Sequence, residues 1–205
     1  MPSPRYKVMS RRITELRHNL LPSSFNPLGL YSDRVHERTR AFRVLAHAEF
    51  ESFIEDRALE VIVNAHGEWE RTGRIRPSLL SLMSHWDSNP KIPENLADLG
   101  DKSIKYPTLT ARIESAKKHY STYIKKRNNG IKEKNLLLIL LPLGVTKDEI
   151  DADWLDDTEG WATDRGTVAH TSAKMQVQLD PKIELATVRK VRDGFRDIDR
   201  ILLQK

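Results

Sequence analysis

Between Asp33 and Gly67, apolar residues recur at Phe42, Ala46, Phe50, Phe53, Ile54, Ala58, Val61, Ile62 and Ala65, with charged residues filling many of the other positions. This is the repeat of one helix face laid against a core. Asp33 suits an N-cap and Gly67 a stop, so the pattern predicts one long core helix. A second helical repeat, Leu109, Ile113, Ala116, Tyr120, Tyr123 and Ile124, follows Pro107, a residue suited to a first helical position, and ends at Asn129 and Gly130. A third places Val188, Val191, Phe195, Ile198 and Leu202 behind Asp180 and Pro181, a cap followed by a first-turn proline.

The run from Leu136 to Leu141 is apolar without interruption. Periodicity cannot separate a buried strand from a buried helix here. The chain offers no second strand to pair with it, so a short buried helix ending before Pro142 is expected. Thr146 and Glu149 have capping-box spacing and should open the next helix, "KDEIDADWLDDTEGWAT".

Two segments fall outside these repeats. Residues 1–33 carry Arg5, Lys7, Arg11, Arg12 and Arg17 before the breaker-rich "LLPSSFNPLGLYSD", which predicts a short helix and then a loop. Such a basic arm could steer RNA or serve as a mobile or partner-docking segment. Residues 68–106 contain Pro77, Pro90, Pro93, Gly73 and Gly100 and read as a variable insertion, within which "SLLSLMSHW" could form a short helix. The fold class that remains is all-α: a helical bundle over 34–205 with one insertion between its first two long core helices.

The 205 residues are enough for one domain with a substantial core. There is no Cys, which excludes disulfides, thiol nucleophiles and thiolate metal sites, and a cytoplasmic location is expected. No apolar run approaches the roughly 20 residues that span a bilayer, so no membrane partner is expected. With 34 basic against 29 acidic residues the net charge is +5, which permits a polyanionic partner without demanding one.

Candidate chemistry is concentrated in "DRGTVAHTSA", residues Asp164 to Ala173. Arg165 and His170 stand five positions apart, about 500° of rotation on a regular helix, so they would not share a face of a straight one. Gly166 disfavours a helix and Asp164 suits an N-cap, which predicts a break at Asp164–Gly166 and a new helix from there. Chemically the pair matches a phosphodiester. A guanidinium forks onto non-bridging oxygens, and an imidazole takes or gives a proton near neutral pH. RNA brings its own nucleophile in the ribose 2′-hydroxyl.

An Arg, four residues and a His after an acidic helix resembles the signature of the HEPN superfamily. "RVLAHAEFESFIEDRA" from Arg43, "NNGIKEKNLLLILLPLGV" from Asn128, "DRGTVAHTSA" and the closing "DPKIELATVRKVRDGFRDID" occur in the order of its RiboL-PSP-type HEPN family. The resemblance covers residues 34–204. It implies a HEPN-type bundle, a homodimer whose two Arg and His pairs meet at the interface, and metal-independent endoribonuclease activity of the kind found in toxins and anti-phage defence. The partners implied are RNA, such as tRNA or phage RNA, and a regulatory or antitoxin protein. Arg165 and His170 carry the catalytic role over. Gly166 departs from the polar residue that often follows the Arg, and this leaves open a non-catalytic helical adaptor that binds RNA or a partner protein.

Other candidates are supporting ones. Glu49, at the margin of the long apolar stripe, is placed to orient Arg165 or His170, and Thr171 to hydrogen-bond a phosphate. Lys132 and Lys134 could lie along an RNA path, while Asn129 serves the turn. His47 and Glu51 read as a solvated i,i+4 pair. The acidic "DEIDADWLDD" has no His at ligand spacing, so no metal and no cofactor are expected.

Overall fold

The computed structural model describes residues 1–86, 108–170 and 178–205, apart from the side chains of residues 86 and 165–170. Seven α-helices and no strand occur among the described residues: α1 (Pro4–Leu20), α2 (Asp33–Thr72), α3 (Pro77–Trp86), α4 (Leu109–Lys126), α5 (Glu133–Leu140), α6 (Ala152–His170) and α7 (Pro181–Leu202). The fold is all-α. None of the described helices is long and apolar enough to cross a membrane.

α2, at 40 residues, is the axis on which the others pack. Its stop lies beyond the expected one. Gly67 is an exposed interior residue, and the helix runs on to Gly73, whose φ of 70° supplies the left-handed cap. One glycine costs about 1 kcal/mol of helix propensity, which the packing of Ala65 and His66 before it and Trp69 after it outweighs.

The N-terminal segment is not a loose arm. Tyr6, Met9, Ile13 and Leu16 of α1 recur three and four apart and are buried in the common core, so the arginines between them form only the outer face. Ser3 caps α1, and its backbone N–H also donates to the buried Asp199 of α7 at 2.7 Å. Part of the expected insertion is core as well: Leu79 and Leu82 of α3 are fully buried. Residues 87–107 lie outside the described residues, and α4 begins at Leu109 behind a Thr108 cap rather than at Pro107.

The apolar run forms the expected short helix, α5, continued by a 3-10 turn over Leu141–Leu143. Tyr120 of α4 donates its hydroxyl to the Ile139 carbonyl at 2.7 Å and ties the two helices together. The Thr146 and Glu149 capping box forms, but it opens only a 3-10 turn at Lys147–Glu149. α6 starts afresh at Ala152, where Asp151 accepts from the Trp154 N–H. Asp180 and Pro181 begin α7 as expected.

Phe195 of α7 is the hub of the core. Its ring stacks on Phe50 at 5.2 Å and meets Phe53 and Trp154 edge-on at 5.9 and 5.2 Å, joining α2, α6 and α7. Burying one such side chain stabilises the fold by about 1.5–3 kcal/mol.

Candidate functional site

The expected break at Asp164–Gly166 does not occur. α6 continues from Ala152 through Gly166 to His170 as one helix, so Asp164 is not an N-cap. On that backbone Arg165 and His170 stand about 7.5 Å apart along the axis and about 140° apart around it. Their side chains, and Thr171 entirely, lie outside the described residues.

The surroundings of that segment are well defined. Three positions before Asp164, the Trp161 indole is 3% exposed and donates from Nε1 to Glu184 Oε1 of α7 at 2.8 Å. The other oxygen of the same carboxylate accepts from Arg43 Nε at 3.0 Å and Nη2 at 2.5 Å. Arg43 and Glu184 are both buried, and this doubly satisfied carboxylate is the arrangement that makes such a pair tolerable away from water. Arg43 Nη1 also lies 3.8 Å from Asp164, an exposed side chain.

On the far side of the segment, Leu179 places its carbonyl 2.9 Å from His36 Nδ1, a contact that needs the proton on that nitrogen. Two described residues that flank this stretch therefore lie near the first half of α2, Asp164 beside Arg43 and Leu179 on His36.

His47 adds to the same wall. It is 2% exposed, its ring centroid lies 5.8 Å from that of Trp161, and its Nδ1 is 3.7 Å from Glu51. The pair expected on the solvated side of the helix is thus an inward one.

The remaining candidates do not join this group. Glu49 faces the opposite side of α2, about 200° around the axis from His47, and pairs with Arg12 of α1 at 3.4 Å. Lys132 and Lys134 are exposed at the start of α5, where Glu133 N–H donates to Glu159 of α6 at 2.7 Å. That places the two lysines beside α6, with Glu159 about 9 Å along the axis before Arg165.

The turn role expected of Asn129 belongs to its neighbour. Asn128 donates to Glu55 at 2.7 Å and to the Gly130 carbonyl at 3.2 Å, and it accepts from Asn135 at 3.0 Å. Burial pushes the Glu55 carboxyl above its ordinary range, the Asn128 hydrogen bond works against this, and Asp56 adds to it.

The one group of metal-ligand types among the described residues is His66, Glu70 and Glu114. The Lys117 ammonium already stands 3.2 and 3.3 Å from the two ring nitrogens of His66 and 3.3 Å from Glu114. Burial works upward on the Glu114 carboxyl, but His66 and Lys117 together hold it below its ordinary value. A cation is thus supplied by the chain itself.

No local pattern in the sequence marks Arg43, Trp161 and Glu184 as a group. A signal for one of them exists: Arg43 falls on the apolar stripe, three before Ala46 and seven before Phe50, and an arginine there needs a buried acid. No family model matches the chain, and no curated protein or solved structure matches it either.

Proposed function

We propose that the protein is a metal-independent endoribonuclease of the HEPN type. The observation that supports this most is the anchoring of α6 just before Arg165: Trp161 is buried, donates to Glu184 of α7 and lies against His47 of α2, and Asp164 stands 3.8 Å from Arg43 of α2. A catalytic pair gains from such anchoring, because misplacing a reacting group by about 1 Å can cost about 100-fold in rate.

In the proposed reaction the ribose 2′-oxygen attacks the adjacent phosphorus. The P–O5′ bond breaks, leaving a 2′,3′-cyclic phosphate and a 5′-hydroxyl. His170 takes the 2′-hydroxyl proton or returns one to the leaving 5′-oxygen, and Arg165 binds the non-bridging oxygens as their charge grows. Two positions about 140° apart on one helix favour a site completed by a second copy, so a homodimer is part of the proposal. Toxin or anti-phage defence is the proposed setting, with a regulatory protein keeping the nuclease silent.

The discriminating experiment is RNA binding and turnover of His170→Ala. A nuclease retains most of its binding and loses turnover, while an adaptor shows only an affinity change, and no turnover at all in the unaltered protein contradicts the proposal.

A further inference from the structure

A groove of about 360 Å³ runs between α1 and α7. Arg17, His18, Arg189 and Arg192 line it together with the hydroxyl-bearing Thr14 and Ser23, and Ile13 and Leu185 complete its wall. No carboxylate lines it. This matters because arginines elsewhere on the described surface are commonly paired with acids, as Arg5, Arg12, Arg76 and Arg200 are. Within the groove only Arg192 has such a partner among the described residues, its neighbour Asp193 at 3.0 Å. Arg17 is held in place by neutral groups: it donates to the Pro22 and Ser23 carbonyls and lies 5.6 Å over the Phe25 ring. Arg189 is exposed.

Three arginines, only one of them paired with an acid among the described residues, make the groove locally positive. Guanidinium forks and hydroxyls are the donors that suit phosphate oxygens. On α7 the groove is lined by Leu185, Arg189 and Arg192, which share one face of the helix.

We infer that the α1/α7 groove is a phosphate-binding track that seats the sugar-phosphate backbone of single-stranded RNA. The identity of the polymer rests on the nuclease reading above; the anion preference rests on the groove itself.

The test is binding of a fluorescein-labelled single-stranded RNA to the full-length chain carrying His170→Ala, between about 50 and about 200 mM salt. Arg189→Ala and Arg192→Gln are introduced singly, with the exposed Arg200→Ala as control. The expected result is a loss of about tenfold for each groove variant, uniform across RNA sequences, and a salt slope lower by about 1, with the control unchanged. Arg189→Glu, at an exposed site, should weaken binding further while leaving thermal unfolding unchanged.

RNA binding that is unaltered in all groove variants overturns the inference and leaves the nuclease reading standing. RNA binding that depends on the groove, with an unaltered chain (His170 intact) that cleaves no RNA in a parallel incubation, upholds the inference and removes the nuclease reading. A chain that binds no RNA contradicts both.

Discussion

The Trp161 indole and the Glu184 carboxylate meet at 2.8 Å between α6 and α7, and that same carboxylate is what makes a buried Arg43 possible. Glu184→Ala leaves the Arg43 guanidinium buried, with only the more distant Asp164 to face it. Removing one partner of such a pair costs about 3–5 kcal/mol. The double change Arg43→Met with Glu184→Leu should cost far less than the sum of its parts, because no orphaned charge remains. Urea unfolding of the two single variants and the double variant measures this.

Glycines at two helical positions should respond in opposite directions. A Cβ on Gly194 of α7 would run into the Trp154 indole, which is 4% exposed and donates to the Val191 carbonyl at 3.0 Å. Gly194→Ala therefore overpacks the core and should destabilise by about 1–3 kcal/mol. Gly67→Ala meets nothing within 4 Å on an exposed part of α2 and should stabilise by about 0.5–1 kcal/mol. Thermal melts of the two variants should move in opposite senses.

Stability should also fall in acid through Glu149. The Thr146 backbone N–H holds this carboxyl below its ordinary value of 4.5, burial pushes against that, and the Lys205 ammonium adds to it. A depressed carboxyl contributes its full stabilisation above the unfolded value and loses it as pH falls through the folded one. The stability difference between the unaltered chain and Glu149→Gln should therefore be constant above about pH 5 and shrink below about pH 4.5. Denaturation measured across that range checks the sign.

Much of the fold was legible because its signals are local. Asp180 before Pro181 marks a helix start through one side-chain bond and one fixed φ, and the Leu136–Leu141 run needs only its own composition and the lack of a strand partner. The failures arise where distant contacts override local preference. Gly67 and Gly166 each look like a stop, yet both helices pass through them. In α1 the arginines mark only the outer face, while the Tyr6, Met9, Ile13 and Leu16 repeat between them buries the helix.

The candidate site was half legible for the same reason. Arg165 and His170 can be picked out as a pair of residue types at one spacing. The frame around them joins Arg43 to Glu184 across 141 positions, a distance no periodicity reports. Glu49 sits at the margin of the apolar stripe, and its partner there is Arg12 of α1, a helix no local pattern ties to that position.

The central claim is tested most directly by incubating the purified chain with total RNA and with tRNA in EDTA, beside Arg165→Ala and His170→Ala, and mapping the product ends. Cleavage that survives the chelator, leaves 2′,3′-cyclic phosphate and 5′-hydroxyl ends, and disappears in both variants is the predicted result. Cleavage that persists in both variants, or that the chelator abolishes, would contradict it.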